Sequence, residues 1–511
     1  MSPATCTVFS QHKRQYVLLA VFLLITYSYF FQGGGWNQNG RICLIRAILH
    51  HQTFSIDPYR EDAHDPYFAF VNTGDWSYYN GRYYSNKSPG LSFLALVPYA
   101  AAEYILSQLI PEDPARQVLL STYVSTVATV ALCGVLLSLA LFHVVTFFFG
   151  FSVQTALITT LACGLGTLLF SYSTTFYSHV PAACFSFLSF VAAMHLRHQT
   201  IRHPQRLAFG AGIAASLAVL IEPSTVLMLG VVTLYLLTCT PGRRCFPLFV
   251  AACMPAGIAQ LWYNAACFGS PLSSSYDYAN DMVMARVNGK LFGLPRLQNF
   301  VGLLVLPYRG LFVSSPVYLM AVPGVLLFFR NKRWRAEALL CTVVSGLFLV
   351  YIACFYAWYG GSGVGPRYLV PAYPFFFMLA VFAIQRFPKT FCAVSVVSII
   401  INLSITLVGN EIPAAISSPL RDVIFKSLWE GNISINPVPV SHFPKVIDIE
   451  SLTDVTKWTD NFNSFNLGEL VFPHHVASVL PLLLFWLVWG IVWKVSLNRF
   501  SEQSEGSSGK D

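Results

Sequence analysis

Charged residues are scarce in this sequence. Asp, Glu, Lys and Arg make up 11% of its 511 residues, and none occurs in the 80 residues from 117 to 196. A soluble domain of that length needs charge on its surface, whereas a charged side chain at the centre of a bilayer costs about 2.5–3.5 kcal/mol on insertion scales. The gap in charge therefore excludes a soluble globular protein and predicts a chain that crosses a membrane several times.

Two further absences narrow the class of protein. The 12 cysteines include no CxxC pair and no metal-ligand spacing, so the sequence predicts neither a disulfide framework nor a zinc site. The net charge of +8 comes from short basic clusters scattered between apolar runs. That distribution excludes the concentrated basic surface of a nucleic-acid-binding protein and is typical of cytoplasmic loops between membrane helices.

Long apolar runs are abundant, and hydrophobic residues make up 55% of the chain. A helix needs about 20 apolar residues to cross a hydrocarbon core ~30 Å thick. Twelve such runs lie near residues 15–32, 118–148, 152–170, 178–196, 206–222, 224–240, 246–265, 311–329, 336–357, 368–385, 390–409 and 476–495. We therefore predict an all-α polytopic membrane protein with about 12 transmembrane helices.

A further run at 89–110 is interrupted by Pro98, Glu103 and Gln108. Basic loops favour the cytoplasmic side of a membrane. If 89–110 crossed the bilayer, every basic cluster from Arg197 onward would face outward. If it lies along the interface, all six basic clusters face the cytoplasm. They are Lys13/Arg14, Arg197/Arg202/Arg206, Arg243/Arg244, Arg330/Lys332/Arg333/Arg335, Arg386/Lys389 and Lys494/Arg499. We therefore predict a juxtamembrane helix at 89–110 and cytoplasmic positions for both termini.

This topology divides the chain into segments. Residues 1–409 form the transmembrane domain, with a long first outer loop at 33–117. Residues 410–475, which contain six prolines, are predicted to form a small extramembrane module on the outer face, for which a β-rich fold is one interpretation. The last transmembrane helix covers 476–495. The Ser/Gly/Glu-rich tail at 496–511 is predicted to be disordered.

The outer loop ends with a candidate phosphate site at Lys87. Ser88-Pro89 is a typical helix start, because the serine can cap the helix and proline suits its first position. A helix N-terminus offers free backbone N–H groups, so a lysine beside it can complete a phosphate site. The alternative is a loop lysine that reaches the lipid headgroups.

A glycine-rich loop from Trp358 to Tyr368 repeats this pattern. Its glycines allow a ligand to approach the backbone closely, and Pro366 begins the next helix. Arg367 in the first helical turn opposes the helix dipole, so it favours an anionic partner. That partner is a ligand phosphate, a lipid headgroup or a nearby carboxylate. Arg309, in a second outer loop, is a third candidate for contact with a donor phosphate.

The motifs in this order resemble those of GT-C membrane glycosyltransferases that use polyprenyl-phosphate sugars, including protein O-mannosyltransferases and aminoarabinose transferases. The segment Tyr83-Tyr84-Ser85-Asn86-Lys87-Ser88-Pro89 resembles the family's aromatic-Glu-Lys-Pro-Pro motif, whose lysine contacts the carrier phosphate. The segment Trp358–Tyr368 resembles a Gly-Pro-Arg-Tyr signature of bacterial members. The resemblance covers most of the chain.

The resemblance implies a GT-C fold with juxtamembrane helices in a long first outer loop. It implies transfer of a sugar from a polyprenyl-phosphate donor to a lipid, glycan or protein acceptor on the outer face, by an inverting general-base mechanism. The implied location is a bacterial inner membrane. The implied partners are the donor lipid, an unidentified acceptor and the bilayer, without nucleic acid.

The sequence departs from the family pattern at the acidic residues. Asn37-Gln38-Asn39 stands where the family has an acidic pair, and His179 stands near the place of a second acid. We therefore predict that Asp57 or Asp75 is the catalytic base, because each lies in a turn flanked by aromatic residues. Tyr84, His179, Glu222, Trp358 and Tyr368 are predicted to line the substrate pocket, although His179 and Glu222 are also consistent with an interface histidine and a helix cap.

Two other functions fit the same composition. A passive lipid-linked-sugar flippase or transporter is one, although the predicted spans contain few of the ionisable residues that coupled transport requires. A non-catalytic relative in envelope assembly is the other, because the acidic pair is missing. No metal site is predicted, since no ligand spacing stands out, but the acidic outer loop leaves a divalent ion open as a cofactor.

Overall fold

The computed structural model describes residues 3–59, 73–279, 291–435, 464–473 and 475–508, and side chains between residues 12 and 498 within those ranges. Helices dominate. In chain order they are α1 (Pro3–Ser28), α2 (Trp36–His51), α3 (Gly90–Leu109), α4 (Pro114–Phe148), α5 (Val153–Leu165), α6 (His179–Arg197), α7 (Pro204–Ile221), α8 (Pro223–Leu237), α9 (Thr240–Phe268), α10 (Leu297–Leu304), α11 (Pro316–Arg330), α12 (Lys332–Cys354), α13 (Arg367–Arg386), α14 (Pro388–Val408) and α15 (Leu480–Ser508).

The predicted all-α polytopic fold is confirmed, and each of the twelve apolar runs forms helix. Within the described residues, nine helical segments are long and apolar enough to cross a membrane: α3, α4, α6, α7, α9, α12, α13, α14 and residues 476–498. The helices α5, α8 and α11 are apolar but shorter, and α1 covers the first run. The number of helices that actually cross the membrane stays a prediction.

Helix α3 corresponds to the predicted juxtamembrane segment. Its length and composition alone would let it span a bilayer, but one side of the helix is buried and the other is exposed. Leu91, Ala95 and Tyr99 are buried, whereas Val97 and Leu109 are 78% and 70% exposed. It packs against α2 and the start of α4. Since α4 has 35 residues, it is about 52 Å long and exceeds a hydrocarbon core of ~30 Å. The interfacial position of α3 stays a prediction.

The described residues form two short antiparallel strand pairs, one between distant parts of the chain and one within a local hairpin. The strands β1 (Phe30–Phe31) and β4 (Phe465–Asn466) pair with each other. The strands β2 (Trp76–Tyr79) and β3 (Arg82–Ser85) form a hairpin. Asn80 and Gly81 at its turn have φ of 49° and 79°, which is the conformation that Asn-Gly hairpin turns favour.

Residues 436–463 and 474 of the predicted module at 410–475 lie outside the described residues, and its β-rich fold stays a prediction. Its described ends contain short helical turns at Leu420–Phe425 and Lys426–Trp429, together with β4. Helix α15 continues to Ser508, and the disorder of the tail at 496–511 stays a prediction. A helix that is already formed adds each further residue without a new nucleation cost. The apolar part of α15 can therefore continue as a helix into the polar residues that follow it.

Two glycines in α7 provide a matched test of helix packing. A Cβ atom at Gly212 would overlap the carbonyl oxygen of Phe249 in α9, whereas a Cβ at Gly210 meets no atom within 4 Å. We expect Gly212→Ala to destabilise the protein by about 1–3 kcal/mol through overpacking. Gly210→Ala should be neutral or stabilising by up to about 1 kcal/mol, because alanine favours helix. Thermal unfolding in detergent measures both, and equal midpoints would contradict the close approach of α7 and α9.

Candidate functional site

The β2–β3 hairpin brings Asp75 and Lys87 together. Trp76 pairs with Ser85 at the open end of the hairpin, and the backbone N–H of Asn86 donates to the carbonyl of Asp75 at 3.2 Å. Lys87 Nζ lies 3.0 Å from Asp75 Oδ2, and the two side chains are 12% and 23% exposed. The predicted phosphate-binding lysine is therefore held in place by one of the two predicted bases.

The second predicted base, Asp57, accepts hydrogen bonds that hold the β2–β3 hairpin in place. Its Oδ1 accepts a hydrogen bond from the backbone N–H of Tyr83 at 2.8 Å. Its Oδ2 accepts one from the hydroxyl of Ser55 at 2.5 Å. Both carboxylate oxygens thus stabilise β3. A catalytic role for Asp57 stays a prediction.

Arg41 is a buried cation that sequence reasoning missed. It lies in α2 and is 3% exposed. Its guanidinium donates to Asn37 Oδ1 at 3.2 Å, to the carbonyl of Ser88 at 3.0 Å and to Ser178 Oγ at 3.0 Å. Arg41 thereby ties α2 to the segments that precede α3 and α6. One feature of the sequence could have indicated Arg41. It lies one helical turn after Asn37, the place where the family that the motifs resemble has its acidic pair.

Glu222 and His179 form a carboxylate–imidazole pair beside Arg41. Glu222 follows α7, and its Oε2 accepts a hydrogen bond from Ser178 Oγ at 2.5 Å. The same oxygen lies 3.3 Å from His179 Nδ1 at the start of α6. Burial alone would raise the pKa of Glu222, but the bonds to His179 and Ser178 and the charge of Arg41 lower it to about 2. Glu222 is therefore ionised at neutral pH.

Arg309 holds the glycine-rich loop. It is fully buried, and its Nε and Nη2 atoms donate to the carbonyls of Tyr359 at 2.7 Å and Gly361 at 2.8 Å. Its Nη1 atom donates to its neighbour's carbonyl at 2.8 Å. Gly360 and Gly361 have φ of 79° and 66°, which side chains disfavour. The loop conformation therefore depends on these glycines and on Arg309. Contact of Arg309 with a donor phosphate stays a prediction.

Arg367 lies at the start of α13 between two aromatic rings. Its guanidinium carbon is 5.3 Å from the ring centre of Tyr177 and 5.4 Å from that of Tyr368. Its Nη1 donates to the Tyr177 hydroxyl at 3.2 Å and lies 3.9 Å from Glu411 Oε1. The aromatic rings and the carboxylate together hold this cation at the outer end of α13.

Glu411 is the second residue that sequence reasoning missed. It lies in the segment after α14 and is 6% exposed. The pKa of its carboxyl group is raised to about 8, mainly by burial and also by the charge of Asp75, whereas the charge of Lys87 offsets part of this shift. Glu411 thus lies within electrostatic reach of both the hairpin and Arg367. It was overlooked because it belongs to the segment assigned to a separate outer module.

One cavity of about 390 Å³ joins several of these groups. Its polar side is lined by Asn37, Arg41, Asn86, Lys87, His179 and Glu222. Its apolar side is lined by Ile221, Leu291, Phe292, Ile352 and Phe355. A space with fixed charges on one wall and hydrocarbon on the other suits a ligand that has an anionic head and a lipid chain.

Four predicted site residues line this cavity: Lys87, His179, Glu222 and Tyr368. The structure places two other predicted pocket residues in aromatic clusters, since Tyr84 packs on Phe268 and Trp358 packs on Tyr308. The described residues that line the cavity include neither of these two, and they do not include Asp57, Asp75, Arg309 or Arg367. Arg367 stacks on the lining residue Tyr368, and Asp75 contacts the lining residue Lys87. Within the described part of the chain, no group of three or more His, Cys, Asp or Glu residues is arranged to hold a metal ion.

Comparisons with known proteins support the fold. No family model and no curated protein matches the chain. Among solved structures, ArnT from Cupriavidus metallidurans bound to undecaprenyl phosphate aligns with a TM-score of 0.50 and 15% identity over 77% of this chain. The same protein in the apo state aligns with a TM-score of 0.48 and 15% identity over 75% of this chain.

The alignments cover 62% and 60% of the two ArnT chains, so this chain spans less than two thirds of the structures it matches. At 15% identity the likeness concerns the fold. The chain is a polytopic membrane protein with the GT-C glycosyltransferase fold that its motifs resemble.

Proposed function

We propose that this protein is a membrane glycosyltransferase that moves a sugar from a polyprenyl-phosphate donor to an acceptor on the outer face. One observation carries the proposal: a single cavity combines the cations Lys87 and Arg41, the His179–Glu222 pair and an apolar wall. The binding of undecaprenyl phosphate by ArnT, which has a similar fold, supports a polyprenyl-phosphate donor here. The acceptor, whether lipid, glycan or protein, is not specified by these residues.

The cations serve the departing phosphate. When the bond from the sugar to the phosphate breaks, negative charge grows on the phosphate oxygens. Fixed positive groups that face this charge lower the barrier, because they need no reorganisation during the reaction. We assign this role to Lys87 and Arg367, each held by a carboxylate at 3.0 Å and 3.9 Å respectively. Arg309 would support Arg367 through the glycine-rich loop.

The His179–Glu222 pair is the favoured base. In an inverting transfer the attacking hydroxyl and the leaving phosphate lie on opposite sides of the sugar carbon. Asp75 contacts Lys87 directly, so it would lie on the phosphate side. His179 lines the same cavity, where its contacts among the described residues include neither Lys87 nor Asp75, and the ionised Glu222 would orient its ring and stabilise its protonated form. Asp75 and Asp57 remain the alternatives from the sequence.

The orientation of the proposed enzyme follows from its charges. With the basic connectors in the cytoplasm, the cavity opens on the periplasmic face of a bacterial inner membrane, and both termini are cytoplasmic. A passive flippase or a non-catalytic binding protein would require the lipid-binding surface alone. The close approach of His179 and Glu222, whose Nδ1 and Oε2 atoms lie 3.3 Å apart on this cavity, is the feature that favours an enzyme.

The two ends of α13 offer a matched test of this function. Arg367 begins the helix at the site, and the exposed Arg386 ends it on the predicted cytoplasmic side. Arg367→Ala should lower donor turnover by about 10²-fold or more, because a preorganised cation is lost. Arg386→Ala should retain the wild-type rate. Release of undecaprenyl phosphate from radiolabelled undecaprenyl-phosphate sugars in proteoliposomes measures both.

Three outcomes separate the functions. Turnover that depends on Arg367 supports the transferase. Movement of the intact lipid-linked sugar between leaflets without turnover would indicate a flippase. Binding with neither activity, across a panel of sugars and membrane extracts as acceptors, would indicate a non-catalytic relative.

A further inference from the structure

Glu411 is a buried carboxyl group within the electrostatic field of the proposed phosphate site. Its Oε1 lies 3.9 Å from Arg367 Nη1, and a Cβ atom on Gly35 would approach the same oxygen to 2.6 Å. The carboxyl therefore lies beside the first turn of α2 and the outer end of α13. The Gly363 N–H donates to the carbonyl of Ile412 at 2.7 Å, which fixes the segment that carries Glu411 to the glycine-rich loop.

The charged and titratable groups around Glu411 come from three directions. Arg367 approaches from α13. Asp75 and Lys87 act from the ends of the hairpin. Tyr172 and Tyr177 act from the segment between α5 and α6, Tyr172 through its electrostatic interaction with the carboxyl and Tyr177 through its hydroxyl near Gly35. The N-terminus of α2 adds a partial positive charge.

The net charge of the proposed phosphate site depends on whether Glu411 is protonated. Arg309 also lies nearby, but its guanidinium donates to three backbone carbonyls and its charge is the same in both states of Glu411. Among the other four groups, the two anions Asp75 and ionised Glu411 cancel the two cations Lys87 and Arg367. A lipid phosphodiester would then add an uncompensated negative charge in a buried site, which is unfavourable. With Glu411 protonated, the four groups have a net charge of +1, and one phosphodiester charge neutralises them.

We propose that Glu411 takes up a proton from solvent when a polyprenyl phosphodiester, the form of the sugar donor, binds between Lys87 and Arg367, and returns it when that lipid leaves. This inference deepens the proposed function and rests on its assignment of the phosphate site. The proton adds to a carboxylate oxygen and is later lost from it, so the cycle needs no other reactant. Glu411 acts as a positioning residue, because it releases Arg367 to the lipid.

The direction of the pH effect follows from linkage. The carboxyl has a raised pKa of about 8 in the folded protein, and an anion bound next to it raises that pKa further. Binding should therefore be tightest below pH 8 and weaken as pH rises, because an increasing fraction of the protein must first gain a proton. Well above pH 8 the Kd should approach a rise of about tenfold per pH unit.

The test uses the full chain in nanodiscs and the methyl ester of undecaprenyl phosphate. This phosphodiester has one charge throughout the range from about pH 6 to about pH 9.5, so its own ionisation does not contribute. The wild-type Kd should show the rise above pH 8, whereas Glu411→Gln should bind with little dependence on pH. Glu430→Gln is the control, because Glu430 is exposed and pairs with Lys426, and it should retain the wild-type profile.

A second measurement needs no variant. Calorimetry of wild-type binding at pH 8 in two buffers that differ in ionisation enthalpy should show uptake of about half a proton per lipid. Failure of the wild type to bind either the ester or undecaprenyl phosphate would count against the proposed donor and hence the proposed function. Binding without proton uptake, or a slope that persists in Glu411→Gln, would overturn this inference and leave the function in place.

Discussion

Replacement of His179 by alanine should slow sugar transfer by about 10²–10⁴-fold, the range that general-base catalysis supplies. Donor affinity should change little, because the phosphate would be held by Lys87 and Arg367 rather than by the imidazole. Single-turnover rates at saturating donor, together with equilibrium binding of undecaprenyl phosphate, separate these two effects. The loss should appear in kcat and not in the Kd of the donor.

Glu222→Gln tests the same pair through its carboxylate. The amide keeps the shape of the side chain but removes the charge that would stabilise a protonated His179. Because the pKa of Glu222 is lowered to about 2, the wild-type carboxylate stays ionised down to strongly acidic pH. We therefore expect the acid side of the wild-type pH–rate profile to arise from another group, and the rate of Glu222→Gln to be reduced at every pH above 4.

The chain contains a matched control for this pair. His50 and Glu103 form a second imidazole–carboxylate contact at 3.1 Å in the outer loop, and neither residue is among those described as lining the cavity. His50→Ala should therefore retain wild-type transfer. Full activity of His179→Ala, combined with a large loss in Asp75→Asn, would reject the pair and restore Asp75 as the base. A large loss in Asp57→Asn alone would favour the other sequence-based candidate.

Replacement of Lys87 by methionine should lower kcat/KM for the donor by about 10²–10³-fold, comparable to the loss of one preorganised group that faces developing charge. Methionine keeps an unbranched apolar stem of similar length but cannot neutralise the phosphate. The variant also leaves Asp75 without its partner at 3.0 Å. That carboxylate would then repel the donor, so the change should weaken both binding and transfer.

The activity of an Asp75 variant shows whether Asp75 positions Lys87 or takes part in the reaction itself. If Asp75 only holds Lys87, Asp75→Asn should have a smaller effect than Lys87→Met, because the lysine remains charged. Lys389→Met is the control, since Lys389 is an exposed residue at the start of α14, away from the site. A Lys87→Met protein that retains the wild-type KM and kcat for the donor would contradict the assignment of the phosphate site.

The membrane architecture was accessible from composition because it depends on local physical chemistry. The charge-free stretch at 117–196 cannot be hydrated as a soluble surface, so its helices could be predicted without any knowledge of their partners. The helix starts could also be predicted from a few neighbouring residues. Pro89 and Pro366 precede α3 and α13 directly, because proline suits the beginning of a helix. Lys87 and Arg367 were identified from those helix starts.

The composition of the site was harder to predict, because its charges come from segments that are far apart in the chain. Glu222 was predicted as a pocket residue, but its partnership with His179 requires the packing of α6 against the end of α7. Arg41 and Glu411 were missed because each looked ordinary in its local segment. A buried ion pair forms only where the fold removes water from both groups, and no window of sequence contains that information.

Sequence alone determined that this chain enters a membrane, which runs become helices, and which helix starts present a cation, since hydration and backbone geometry act over a few neighbouring residues. Tertiary structure alone decided that Asp75 holds Lys87, that Glu222 meets His179 and that Glu411 approaches Arg367. Those pairings depend on distance and burial, which arise only when helices from different parts of the chain pack together.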